Sequence, residues 1–418
     1  MSEKRIAFRP AEILLPGADV SPETWACLAC DQYTSQPEYW RGVEELVGSR
    51  PSTYRLMLPE CDLASSEERI PKIHQAMADY LARGILTPAV ACGYVLCRRT
   101  TPSGTRLGLV GTVDLEEYDF SEGSRSLVRP TEQTIAARLP ARLKIRRQAP
   151  LELSHILILI DDPERTVLEP LAEKADTLRK LYDFDLMKEG GHLTGYAVED
   201  AADLAGVEDA LDALKQKLGE NPLLLAVGDG NHSLATAKAY WNEIRESLSP
   251  EEREHHPARF ALCEVENLHD EALTFEPIHR LITGTTPEEL YDCWERYAEA
   301  RGMALAEEGE GHTFLMAIRR DEYPTVVKNP EGQIPCETIQ LFLDDFLENH
   351  PKAAIDYIHG AAALRKLAQQ KDSVGFILPD IDKRTFFQDV KALGVLPRKT
   401  FSMGEADEKR FYMECKRI

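Results

Sequence analysis

No apolar run in these 418 residues approaches the roughly 20 needed to cross a bilayer. The opening Met1-Ser2-Glu3-Lys4-Arg5 is not followed by a secretory apolar core either. A cytoplasmic protein with no membrane partner is therefore expected. A net positive charge is also lacking, since 71 acidic residues outnumber 49 basic ones. The net charge of −22 argues against nucleic acid as a partner, and no basic helix-turn-helix pattern stands out. Low-complexity tracts, internal repeats and long Gly/Ser or Pro linkers are missing, so the parts of the chain are expected to pack as one body. The nine cysteines are odd in number and scattered, which excludes a disulfide framework. Cys27 and Cys30 form a C-x-x-C without a second pair, a nearby histidine or a βαβ context, so neither zinc nor redox chemistry follows. The pair reads as two small residues on one side of a short helix. Walker-type and protein-kinase motifs are absent too.

What is present is an ordinary globular composition, 43% hydrophobic and 29% charged, on a chain too long for one typical core. Three units are expected: an α/β unit with a basic helix over 1–150, a central unit over 151–285 and a C-terminal α/β unit over 286–418. In the first, Ile70, Ile73, Met77, Tyr80 and Leu81 make an amphipathic stripe closed by Gly84. Residues 91–99 and 106–114 read as strands joined across Thr101-Pro102-Ser103-Gly104. The second should hold a strand at 155–160 and helices over 168–182 and 202–218. Alternating short strands and helices fill the third. His255-His256 sits in a polar loop and reads as solvated.

The most informative stretch is Pro222-Leu223-Leu224-Leu225-Ala226-Val227-Gly228-Asp229-Gly230-Asn231-His232-Ser233. It reads as a buried strand, a turn rich in catalytic residue types, and a helix whose Leu234, Trp241, Ile244 and Leu248 share one face, with Ser233 as N-cap. Gly228 and Gly230 bracket Asp229, so the backbone there can take positive φ and approach a ligand. Such a turn presents N–H groups and the positive dipole end, which suits a phosphate. Asp229 and His232 add an acid–base or metal-binding pair. The alternative is a tight connection whose Asp and His satisfy only the backbone.

One segment runs against the acidic trend. Residues 125–147 carry seven basic side chains against the single acid Glu132, a local +6 that leaves −28 for the remainder. In a helix starting at Thr131, Arg138, Arg142 and Arg146 would share a face. That stripe either focuses an anionic ligand or pairs with the surplus carboxylates. Glu132, alone among bases, should favour its charged form. It would act as a general base or simply neutralise Arg129 or Arg138.

Gly-Asp-Gly-Asn-His-Ser followed by Leu-Ala-Thr-Ala resembles the signature of the domain-of-unknown-function family 1015. So do Phe8-Arg9-Pro10, Gly108-Leu109-Val110-Gly111-Thr112-Val113, Arg129-Pro130-Thr131-Glu132-Gln133-Thr134 and Leu396-Pro397-Arg398-Lys399-Thr400-Phe401, in the right order and over nearly the whole chain. The resemblance implies an α+β fold with mixed sheets around a ParB/sulfiredoxin-like nucleotide-binding core, packed as one multi-part body. That superfamily includes nucleotide-dependent small-molecule kinases, which use a Glu as base. Most relatives carry a second His where Asn231 stands and an Arg where Ser233 stands, so phosphate contacts are expected to differ here. Sulfiredoxin's motif cysteine is missing, which rejects that chemistry.

These readings together imply a nucleotide-dependent phosphotransferase, kinase-like, acting on a small hydroxylated metabolite. The alternatives are a non-catalytic nucleotide- or metabolite-binding regulatory protein and a phosphate-ester hydrolase. The catalytic candidates are His232, Asp229 and Glu132. Gly228, Gly230, Asn231, Ser233, Thr134, Arg138, Lys399 and Thr400 are expected to bind the nucleotide phosphates. ATP, ADP or CTP with Mg is the expected cofactor, without assigned metal ligands. The partners are then a small-molecule substrate and the nucleotide, with self-association left open.

Overall fold

The computed structural model describes residues 6–135, 139–153, 155–397 and 399–418. The chain divides into two compact units, one of residues up to 274 together with 404–418, the other Phe275–Met403. Both are α+β with mixed or antiparallel sheets.

In the first unit nine strands follow one another across a sheet. They are β1 (Ala11–Pro16), β2 (Leu86–Thr101), β3 (Gly104–Asp114), β4 (Val128–Pro130), β5 (Leu151–Leu153), β6 (Leu157–Ile160), β7 (Leu225–Asp229), β8 (Phe260–Asn267) and β9 (Cys415–Arg417), in the spatial order β4-β7-β6-β8-β3-β2-β1-β9-β5. The pairs β4–β7 and β6–β8 are parallel and the others antiparallel. Phe8–Arg9 adds to β3, and His192–Val198 joins β2 to Arg179–Asp185. Successive side chains on a strand point to opposite faces. Accordingly Tyr94 and Leu96 of β2 enter one apolar cluster while Val95 and Cys97 enter another.

Helix α1 (Ser66–Ala82) covers the second face through Ile73, Met77 and Tyr80, beside Trp25 and Trp40. The helices α3 (Ala201–Gln216) and α4 (Asn231–Arg245) cover the first through Leu211, Leu214, Leu234 and the fully buried Trp241. Between α1 and α3 in the chain comes the short basic helix α2 (Leu139–Arg146), which packs on α1 and α4. Trp241→Ala would cost about 3–5 kcal/mol, the usual range for an aromatic core deletion.

Two landmark glycines of β3 have a steric reason. A Cβ on Gly108 would lie 1.8 Å from Glu264 Oε1, and one on Gly111 would lie 2.7 Å from the rings of Phe8 and Tyr94.

The second unit has the strand order Ala304–Ala306, Asp321–Lys328, His312–Ile318, Ser373–Ile377, Phe275–Thr283, Ala354–His359, with Phe401–Met403 also on Phe275–Thr283. Pro287–Ala300 and Pro335–Asn349 close its core around Trp294, Phe342 and Phe376.

Several expectations change. The units expected at 1–150 and 151–285 share one sheet, since β4 from the first pairs with β7 from the second, and the break falls at 274–275, with a return at 404. Residues 168–182 hold the short helix Glu169–Glu173 and the 3-10 turn Ala175–Thr177 before the strand Arg179–Asp185, where Tyr182 and Phe184 are buried between exposed Lys180, Asp183 and Asp185. That is strand alternation, which the preceding charged run obscured. Cys27 lies in the strand Cys27–Leu28, paired with Phe411–Tyr412, and not on a helix. All nine cysteines are free, and His256 Nδ1 accepts from the Ala258 N–H. No helix among the described residues is long and apolar enough to cross a membrane.

Candidate functional site

The apolar run before the motif forms β7, central enough to be buried from Leu225 to Val227. Gly228 falls where the register shifts between Val227 and Asp229. Gly230 takes φ +81° and is the N-cap of α4, displacing Ser233 from the role expected for it. The reason is conformational: the left-handed residue ending the turn is the glycine, so the helix starts at Asn231. A glycine cap offers no side chain to the first N–H groups of the helix, which lack intrahelical acceptors. Asp229 Oδ1 accepts from the Gly230 N–H at 2.8 Å, and its Oδ2 lies 3.3 Å from the buried Lys409 Nζ.

The segment after β4 is irregular over 131–135, so no helix starts at Thr131; Arg138 lies outside the described residues. The segment nevertheless reaches the motif. The Thr131 hydroxyl donates to the Val227 carbonyl at 2.6 Å, and the Ile135 N–H donates to His232 Nε2 at 3.2 Å. Half-buried Glu132 and Thr134 lie between these two ties. Thr134 Oγ1 and Asn231 Oδ1 are buried without a hydrogen-bond partner among the described residues, and Asn231 is 8% exposed. Because Nε2 of His232 accepts, its proton sits on Nδ1 and the ring presents a donor.

Two members of the basic stripe, Arg142 and Arg146, meet carboxylates. Arg142 pairs with Glu60, and Arg146 reaches Glu152 at 2.7 Å. Lys399 and Thr400 belong to the second unit. There the Lys399 carbonyl accepts from Arg280 and the Thr400 hydroxyl donates to the Pro397 carbonyl.

Four residues beside the motif were not singled out as site residues in the sequence. His155, just before β6, places Nε2 3.4 Å from Ser233 Oγ and 3.7 Å from Asp31 Oδ2. Its Nδ1 is 2.7 Å from the Tyr412 hydroxyl, which donates to Cys30 Sγ at 3.1 Å. Burial would raise the Asp31 carboxyl, but His155, the Gln32 amide and Lys409 more than offset it and hold Asp31 below the ordinary carboxylate range. Asp31 and Asp229 thus share the field of one buried lysine. Burial pushes the Cys30 thiol up to about 12, so it stays protonated and is no nucleophile. The Ser233, His155 and Asp31 trio is not a nucleophilic triad, because such a triad places its acid on the opposite ring nitrogen from its serine. Here both approach Nε2, and Nδ1 faces Tyr412.

A signal for these residues existed. Lys409, Arg410, Glu414 and Lys416 flank the apolar Phe411-Tyr412-Met413, and charges set so close around a buried apolar run need partners. Asp31 directly follows the C-x-x-C.

The chain belongs to the family described as "Protein of unknown function (DUF1015)", whose model matches residues 13–346. No protein with a curated function matches it. Among solved structures it is similar to free serine kinase in complex with AMP, at 12% identity and a TM-score of 0.39 over 72% of this chain and 90% of that one. It is also similar to SbnI with C-terminal truncation from Staphylococcus aureus, at 10% identity and a TM-score of 0.37 over 71% and 82%. A conserved hypothetical protein from Pyrococcus furiosus gives 12% identity and a TM-score of 0.33 over 72% and 90%.

Proposed function

We propose that this protein is a nucleotide-dependent phosphotransferase acting on a hydroxyl of a small molecule. The observation that carries the reading is the corner where the amino end of α4, the buried Lys409 and the carboxylates Asp31 and Asp229 converge. A phosphate fits it. The first turn of α4 supplies N–H donors, and the orphaned Thr134 hydroxyl and Asn231 amide lie in the two segments that meet at the turn. This is the nucleotide-binding role expected of a ParB/sulfiredoxin-like core.

When bound, a nucleoside triphosphate with Mg²⁺ supplies the phosphoryl group and neutralises its charge. Asp229 would hold the cation, since Mg²⁺ takes one or two carboxylates and completes its shell with phosphate oxygens and water. Lys409 would steady the phosphates, and Ser233 would offer its hydroxyl where relatives place an Arg. Asp31, ionised and held by His155, would accept the proton of the substrate hydroxyl. His232 and Glu132 would position the 131–135 segment against the turn. Such a site works by positioning and charge stabilisation, which phosphoryl transfer chiefly needs.

Titrating the purified protein with ATP, ADP and CTP, with and without Mg²⁺, tests the binding half by calorimetry. Phosphorus NMR with a panel of hydroxylated acceptors tests the transfer half. Saturable binding of one nucleotide and a new phosphate ester are expected. Silence to all three nucleotides would overturn the reading.

A further inference from the structure

We propose that the acceptor is a hydroxy acid, a small molecule with one carboxylate, a short apolar body and a hydroxyl, seated in the cavity bordered by α1, α2 and Ser233. This rests on the phosphotransferase reading above. The cavity holds about 150 Å³, and Leu58, Met77, Ile145 and Leu151 form much of its wall. Its charge is unbalanced on the α2 side. Arg142 takes Glu60, which leaves Glu152 to serve both Arg146, at 2.7 Å, and Lys416, at 3.3 Å. Three cations thus face two carboxylates, a surplus of one positive charge among the described residues. The shortfall lies at Arg146. Lys416 also donates to the carbonyls of Pro257 and Arg417, whereas Nε and Nη2 of Arg146 are buried with no aligned hydrogen-bond partner among the described residues. A guanidinium fork fits a carboxylate with two parallel N–H donors, and a half-buried one that lacks its anion is costly. A carboxylate in the cavity, met by a turn of the guanidinium, supplies what is missing.

The size of the surplus selects the ligand. A phosphate dianion would exceed it, a cation would add to it, and a neutral alcohol would leave Arg146 as it is. Orientation follows from charge as well. His155, Ser233 and Tyr412 meet in the same lining, beside Asp31. Repulsion from Asp31 turns the carboxylate toward Arg146 and leaves the hydroxyl for Asp31, while the carbons gain by leaving water for the apolar wall. The step balances. The acceptor oxygen forms the new P–O bond, the terminal phosphoanhydride bond of the nucleoside triphosphate breaks, the diphosphate leaves with the electron pair, and the hydroxyl proton passes to the Asp31 carboxylate.

The test compares pentanoate, 1-pentanol and the 2- and 5-hydroxypentanoates on protein labelled with ¹³C at the methionine methyls, because Met57 and Met77 both line the cavity. Expected are shifts at these two methyls and binding of pentanoate about 10- to 100-fold tighter than of pentanol, the worth of one charge-assisted contact. With nucleotide and Mg²⁺, phosphorus NMR should show an ester of a hydroxypentanoate. Arg146→Gln should erase the preference for the acid. Glu152→Gln, which raises the surplus to two and keeps an oxygen for the Leu262 N–H, should tighten pentanoate. The comparison on the parent protein stands even where a variant fails to fold. Silent methyls, or equal affinity for pentanoate and pentanol, would overturn the proposal. So would displacement of pentanoate by ADP or inorganic phosphate, which would make Arg146 part of the phosphate site. Hydroxypentanoates that bind beside the nucleotide yet yield no ester would overturn the acceptor role, although nucleotide binding would then stand. Carboxylate binding without any nucleotide binding would instead overturn the phosphotransferase reading, and with it the acceptor role.

Discussion

Replacing Gly108 by Ala places a methyl group where the Glu264 side chain now runs. The new Cβ would sit 1.8 Å from Oε1, 2.6 Å from Cδ and 2.7 Å from Cγ of Glu264. Since Cγ is crowded as well as the carboxylate, rotating the tip cannot relieve the clash, and the side chain must leave. Glu264 Oε2 accepts from Arg410 Nε at 2.6 Å, with both side chains under a tenth exposed. Breaking a buried pair costs about 3–5 kcal/mol. The stiffer unfolded chain returns only about 0.4–1 kcal/mol. The net loss is therefore roughly 2–4 kcal/mol, which for a unit of this size lowers Tm by about 5–10 °C. Gly206→Ala is the control. It lies inside α3 with nothing within 4 Å of the added Cβ, so it should gain about 0.5–1 kcal/mol and melt slightly higher. Scanning calorimetry on both variants decides the matter. A Gly108→Ala protein melting within about 2 °C of the parent would refute the packing argument.

Other outcomes follow from the site and its surroundings. Lys409→Ala should weaken nucleotide binding by about 10- to 100-fold, the worth of one charge-assisted contact, and an unchanged calorimetric affinity would remove Lys409 from the phosphate site. Asp31→Asn should cut turnover by about 10²–10⁴ while nucleotide affinity holds, the signature of a lost base. Because Asp31 is held below the ordinary carboxylate range, its basic form persists as pH falls and is lost only below roughly pH 4. A pH–rate profile whose acid limb breaks near neutrality would point to another group. Glu266 behaves in the opposite sense. Burial raises its carboxyl to about 7, so the folded state takes up a proton that the unfolded chain does not hold until lower pH. Stability should then be lost as pH rises from about 5 to about 7 and level off above that, and Glu266→Gln should flatten that slope in melting curves.

The sequence was most legible where one signal dominated. The hairpin flanking Pro102-Ser103, the stripe closed by Gly84 and the strand–turn–helix at 225–245 each joined a clear hydrophobic period to a turn residue. The 179–185 strand was hidden because its outward residues are charged, so its tail read as a continuation of a helix. At the site, the motif and the Arg129–Thr134 landmark do meet, through Thr131 and Ile135, although about a hundred residues separate them. What periodicity does not carry is the tertiary pairing of distant polar groups. Nothing local says that Asp31, His155, Lys409 and Tyr412 gather at one turn, or that Arg142 and Arg146 find Glu60 and Glu152.

The return of residues 404–418 to the first unit sets an order on how the protein comes into being. The chain leaves that unit at Thr274 and comes back at Gly404, whose N–H donates to the Thr274 carbonyl at 3.2 Å. On the ribosome, the Gly228–Ser233 turn is therefore finished about 180 residues before Lys409 and Tyr412 exist. During that interval Asp229 lacks its lysine, His155 lacks its tyrosine, and the edges of β1 and β5 that β9 will bridge lie open. An open strand edge is an invitation to wrong pairing. A nascent chain of this protein would be a client for chaperones until its last segment is made, and it would be inert toward its ligands for the same period.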